Sequence, residues 1–193
     1  MAEPKPPAPS IMLVAIFSRH RTALDWALER IAQTWGRLAL CSDRFDHGET
    51  NYYQPTMGSG LTKQFVIVDG LYDPAQLSDS KLESNRWEAE LAAANRFSEL
   101  RPLNIDPGYI TLTKLVLASA KDRAHRIYLK QGIYAEQCLY YLDHRWQARP
   151  WTYPDYQRDD FQTFFSQARE HLKRLVLSQP SAIQIANGRR DVL

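Results

Sequence analysis

The sequence predicts an α+β fold: an antiparallel sheet of the ferredoxin-like, split βαβ kind, extended by a β-meander and closed by a C-terminal capping helix. Three observations predict it. Short strand-like runs fall at 11–17, 37–41 and 63–69, the second simply apolar and the third rich in β-branched and aromatic residues, and stretches of helical periodicity follow the first and third. Hairpin-like segments then fill 103–148. Finally, Phe161, Phe164, Phe165, Ala168, Leu172, Leu175 and Val176 form one apolar stripe on a helix over 157–177. The order β-α-β-β-α-β, followed by the meander, places the helices on one face of the sheet.

Each element has a local reason. Residues 1–10 are proline-rich and read as a disordered tail; a single domain then covers 11–178, and 179–193 reads as a flexible tail. The run at 11–17 is apolar throughout, as a fully buried strand requires. A helix over 22–35 follows from Leu24, Leu28, Ile31 and Trp35, with Thr22 as N-cap and Gly36 as its stop. Residues 42–61, with Gly48, Pro55, Gly58 and Gly60, read as a long loop of the kind that often serves function. Asp73 before Pro74 starts a second helix that runs to about Phe97, with a break near 78–80. Asp106-Pro107-Gly108 reads as a turn, 109–119 as strand, and 127–129 with 133–142 as a hairpin around Gly132. A second turn at Asp143-His144 leads to a short strand near Trp146.

Composition excludes several classes. The chain has 193 residues, 24 Lys+Arg against 22 Asp+Glu, and a formal charge of +2, far from the basic excess of histone-like proteins. The longest early apolar run is too short to span a membrane and lacks a basic n-region before it, so the expected location is cytoplasmic. Cys41 and Cys138 form no CxxC pattern, and the five histidines fall in five segments, so no metal site is assigned and no cofactor is named. The phosphate-loop, dinucleotide-binding, nucleophile-elbow and zinc-protease motifs are absent.

The densest polar constellation runs from Arg101 to Glu136. Between residues 114 and 149 seven Lys/Arg stand against three acids, an excess suited to phosphate or carboxylate if the side chains converge. His125, Glu136 and Asp106 are the candidate proton carriers; Arg101, Asn104, Lys114, Lys121, Arg126, Tyr134 and Tyr153 are the candidate ligand-binding residues. The competing reading makes these solvated strand edges. Arg126 and Glu136 flank Gly132 at nearly equal distance and face each other across the hairpin, either as sheet support or with Glu136 orienting Arg126. Lys81, Asn85 and Glu88 share one helix face, as a solubilising stripe or a buried network. Residues 151–156 hold three aromatics that either close the core, with Asp155 capping the last helix, or wall a ring-shaped ligand; Tyr52-Tyr53 read as a lid.

Asn51-Tyr52-Tyr53 through Met57-Gly58, the run from Asn104 to Tyr109, Lys114 to Ser119, Lys121-Asp122, His125 to Leu129, Gly132 to Glu136 and Trp151 to Tyr156 together resemble a family of bacterial proteins, domain of unknown function 4416. The resemblance spans about residues 10–176. It implies a bacterial, cytosolic, single-domain protein and carries no catalytic residues over. Asn51 stands where many relatives are expected to be acidic, so that loop is assigned no carboxylate role.

Three functions follow as expectations. The leading one is a polar pocket for a small anionic ligand, phosphorylated or carboxylated and including nucleotides, with or without catalysis. The second is a protein-interaction or regulatory domain without ligand. The third is an RNA-binding module on a ferredoxin-like sheet, although the aromatic RNA-recognition motif is absent.

Overall fold

The computed structural model describes residues 3–48 and 52–178; Asn51 and the segment 179–193 lie outside the described residues. The chain runs β1 (Ser10–Ser18), α1 (Arg21–Thr34), β2 (Leu38–Cys41), β3 (Phe45–Asp46), α2 (Gln54–Met57), β4 (Thr62–Val68), α3 (Leu77–Ala93), β5 (Asn104–Thr111), β6 (Lys114–Ser119), β7 (Ile127–Lys130), β8 (Ile133–Leu142), β9 (Arg145–Ala148) and α4 (Asp159–Ser178). The nine strands form one antiparallel sheet along the path β2-β4-β1-β5-β6-β8-β7, with β3 also on β4 and β9 also on β8. It is an α+β fold. Among the described residues no helix is long and apolar enough to cross a membrane.

β1 is the spine, and every residue in it is buried. Its side chains alternate between two cores. Ile11, Leu13 and Ala15 join the α4 residues Phe161, Phe164, Phe165, Ala168 and Leu172. Met12, Val14 and Ile16 join Ala23, Leu24, Ala27 and Ile31 of α1 and Trp87 and Leu91 of α3. The expectation of helices on one face is therefore corrected: α4 covers the face opposite α1 and α3. A strand apolar on both faces needs a cover on each, and the stripe of α4 supplies the second.

Local boundaries also shift. α1 starts at Arg21, and its N-cap is His20 with no side-chain cap, not Thr22. Gly36, at φ 120°, does close that end. Asp73 accepts from Ala75 N at 2.9 Å and starts a 3-10 turn, after which α3 continues unbroken past Ser78 and Ser80, both buried. α3 ends at Ala93 rather than near Phe97 because Asn95 takes a left-handed conformation, φ 51°. The loop over 42–61 carries β3 and α2. The strand reading of 109–119 resolves into the end of β5 and all of β6. Before α4 the chain makes a 3-10 turn over Pro154–Gln157.

The largest correction is Asp106-Pro107-Gly108, which lies within β5. β5 pairs with β1 from Asn104 opposite Phe17 to Thr111 opposite Ser10. It pairs with β6 only through Gly108, Tyr109 and Ile110, while β6 continues along β8 as far as Ser119. The sheet thus splits between β5 and β6. Pro107 marks the place, since it has no N–H to donate to a neighbouring strand. Gly108 makes the last contact, where a Cβ would meet Val116 O at 2.2 Å and Leu117 Cδ2 at 2.7 Å. Turn-forming residue types are overruled here by pairing along the buried spine.

The split leaves the backbone of Ile105 without a strand partner on that side, and α3 replaces it. Lys81 Nζ donates to Ile105 O at 2.7 Å, Ser84 Oγ donates to the same oxygen at 3.2 Å, and Ile105 N donates to Glu88 Oε1 at 2.8 Å. Lys81, Ser84 and Glu88 are buried, so the polar face of α3 is an internal network and not a solvent stripe.

Gly108→Ala forces either β6 or the Leu117 side chain to move. We expect it to destabilise the fold by about 1–3 kcal/mol, seen as a lower urea midpoint with an unchanged slope.

Candidate ligand-binding cavity

The split opens a cavity of about 610 Å³. Strand parity sets its walls. Phe17, Lys63 and Asn104 are register partners across β4, β1 and β5, and Asp106 lies opposite Ala15 on the same face. Leu117 and Glu136 are partners across β6 and β8. All of these are on the α4 face, just before α4 begins. α3 lies on the opposite face, yet Lys81 and Asn85 line the cavity because the gap between β5 and β6 lets them through. The loop residues Tyr52 and Tyr53, with Lys121, Arg123, His125, Trp151 and Tyr153, supply the rim. A broader groove of about 810 Å³ beside α4 is lined by outward-facing residues such as Thr163, Ser166, Gln167 and Glu170, and none of its polar residues is buried.

Inside, each cation has a countercharge. Lys63 Nζ donates to Asp155 Oδ2 at 2.5 Å, with both side chains buried, and the His47 ring stands 3.5 Å from the same oxygen. The ammonium faces Tyr156 and Phe17 at 4.8 and 5.4 Å from the ring centres. Lys81 donates to Asp106 Oδ1 at 2.8 Å. Arg101 donates to Glu88 Oε2 at 2.8 Å and also to Asn104 Oδ1, whose amide nitrogen donates to Asp106 Oδ2 at 2.6 Å. Burial works against the charged form of Asp106; Lys81 and the Asn104 amide outweigh it and hold the carboxyl below its ordinary value.

The Arg126–Glu136 pair predicted across the hairpin is present and buried, with Arg126 Nε donating to Glu136 Oε2 at 2.7 Å. The guanidinium also donates to Ser119 Oγ, Lys121 O and Tyr153 Oη at 2.7, 2.8 and 2.6 Å. It is a strut joining three segments of wall. Burial, with the Glu136 charge adding to it, pushes the Tyr153 hydroxyl up to about 12. The second Glu136 oxygen, Oε1, is enclosed without a hydrogen-bond partner, and so is His125 Nε2.

At the rim, Lys121 donates to Tyr52 Oη at 2.7 Å, and that hydrogen bond, with the charge behind it, lowers the phenol. Neither Lys121 nor Arg123 has a carboxylate partner among the described residues. Trp151 and His125 stack at 5.4 Å with 9° between their planes.

The structure brings together Arg101, Asn104, Asp106, Lys121, His125, Arg126, Glu136 and Tyr153 of the residues expected from sequence. Lys114 and Tyr134 do not line the cavity. Lys114 sits at the far end of β6 opposite Tyr140, and Tyr134, on the same face as Glu136 but one pair nearer the start of β8, packs edge-on to its partner Tyr128 of β7. Asp155 is the buried partner of Lys63 rather than a cap for α4. Sequence reasoning missed Lys63, His47 and Phe17. The signal for Lys63 was its parity with Phe65 and Ile67, which put a lysine on the core face of β4.

Residues 8–172 match the family model described as Domain of unknown function (DUF4416). No curated protein and no solved structure matches the chain.

Two outcomes test the internal pairs. Lys63→Met leaves Asp155 uncompensated among aromatic rings and should cost about 3–5 kcal/mol, with Lys63→Met/Asp155→Leu recovering part of the loss in urea unfolding. Asp106, held below its ordinary value, contributes stability that is full above the unfolded carboxyl's pKa and is lost as pH falls through the folded one. Asp106→Asn should therefore be about 1–2 kcal/mol less stable than the parent at pH 7, with the gap narrowing towards pH 3 in parallel denaturation series.

Proposed function

We propose a ligand-binding function for this chain, which belongs to the DUF4416 family: its cavity takes a small organic anion, phosphorylated or carboxylated. The observation that carries this reading is the distribution of charge. Six cationic side chains and three carboxylates line one recess. The interior cations are matched by carboxylates, and Lys121 and Arg123 are left unmatched at the mouth, where an anionic group would be drawn. Unmatched cations beside a cavity of this size, within the usual 300–1,000 Å³ range for small-molecule sites, suit a ligand whose charged end stays at the rim.

For proton transfer the reading selects His125 and Glu136, 3.5 Å apart, over Asp106, which is tied to Lys81 and Asn104. It also takes the β1-α1-β2 and β4-α3-β5 units, interleaved in the order β2-β4-β1-β5, as a ferredoxin-like split βαβ core. A bacterial, cytoplasmic setting belongs to the same proposal, in keeping with two free cysteines. A second reading, as a protein-interaction domain, is favoured by the edge strand β7, where Ile127 and Tyr128 are exposed. RNA ranks third: the central strands are covered on both faces, which leaves bases no open sheet to stack on.

The test is thermal-shift titration of the purified chain against phosphorylated and carboxylated metabolites, with native mass spectrometry of whatever co-purifies. At least one anion should raise the melting temperature, and Lys121→Ala/Arg123→Ala should abolish that rise without lowering the unliganded melting point. A flat response across the panel and an empty native spectrum would remove the reading.

A further inference from the structure

We infer that the ligand is a nucleotide, bound with its phosphate at Lys121 and Arg123 and its base held by Trp151 and Glu136. This rests on the anion-site reading above and goes further, by assigning the uncharged half of the ligand. The argument starts from what the inner cavity lacks. A carboxylate accepts about four hydrogen bonds, and Glu136 spends only Oε2, on Arg126. Its Oε1 has no partner although the side chain is 2% exposed, in a wall where the neighbouring polar groups are tied to one another. His125 Nε2, 3.5 Å from Glu136 Oε2, is likewise enclosed and unpartnered. Two such atoms on neighbouring side chains suit a ligand group that bears an N–H donor, as purine and pyrimidine rings do.

The surroundings suit a flat ring. The Trp151 indole is parallel to the His125 ring, is anchored by Nε1 donation to Gln137 O at 3.0 Å, and remains 38% exposed at the cavity edge. An anchored, half-open indole beside a carboxylate is a stacking surface with a hydrogen-bond acceptor at its margin. Charge sorts the two ends of the ligand. An anion placed deep inside would meet Asp106, Glu136 and Asp155, whereas at the mouth it meets Lys121 and Arg123. The phosphate therefore stays outside and the neutral, donor-bearing ring goes in.

Isothermal titration of the full chain with guanosine 5′-monophosphate, adenosine 5′-monophosphate, ribose 5-phosphate and inorganic phosphate tests this. At least one nucleotide should bind roughly tenfold or more tightly than ribose 5-phosphate, the scale of one base–aromatic contact. Trp151→Ala should bring that nucleotide down to the ribose 5-phosphate level, and Glu136→Gln should reduce it several-fold. Because Glu136→Gln also weakens the Arg126 strut, Trp151→Ala decides the matter should the former melt early. Lys121→Ala/Arg123→Ala should weaken all four probes alike. If ribose 5-phosphate binds as tightly as both nucleotides, the base assignment is overturned while the anion site stands. If none of the four binds, the nucleotide assignment falls, and the anion site is then judged by the wider panel and the native spectrum.

Discussion

Ile105 carries the constraint from which the rest follows. Its N–H and C=O lie on the side of β5 that β6 has left, and a buried peptide without partners is too costly to persist. The fold answers with α3: Lys81, Ser84 and Glu88 stand in for the missing strand. Two of these substitutes are ionised, so repairing the sheet brings charge into the interior. Each then requires a countercharge, Asp106 for Lys81 and Arg101 for Glu88, with Asn104 bridging the two. A polar cavity beside the split is thus the consequence of how the break in the ladder is satisfied.

The opposite wall follows the same logic with different parts. Lys63–Asp155 and Arg126–Glu136 are buried pairs in a largely aromatic setting, where attraction is strong but desolvation is severe. Such pairs are weak sources of net stability. Their effect is positional: Arg126 joins β8, the turn at Ser119–Lys121 and the Tyr153 segment, and Lys63 joins β4 to the turn before α4. The site is assembled from segments far apart in sequence, and these ties hold them in one arrangement. Because the interior is electrically closed, recognition there falls to hydrogen bonding and ring contact, and net charge acts at the mouth.

Much of this was legible along the chain. The all-apolar run that became β1, the stripe of α4, the hairpin about Gly132 and the facing of Arg126 and Glu136 all arise from local spacing. Most of the polar constellation between Arg101 and Glu136 does line the cavity. Lys114 fell away because a strand alternates and its parity differs from that of Leu117, whereas Tyr134 shares the parity of Glu136 and fell away because it sits nearer the start of β8, against Tyr128 of β7. Asp106-Pro107-Gly108 was misread because turn propensity is weak beside pairing with a buried strand on one side.

Sequence alone determined the class of fold and most of its elements, which depend on periodicity within ten or twenty residues, and the family, which the order and spacing of its matching segments carry; β3, α2 and the course of 106–108 escaped it. It also placed the one ion pair whose partners are ten residues apart on a single hairpin. Only the tertiary structure decided that the sheet splits at Pro107 and that α4 closes the second face. It alone showed that Lys63 meets Asp155 across 92 residues. The physical reason is that local spacing tells which way a side chain points from its own strand, whereas what it meets depends on distant segments that come together only when the core closes.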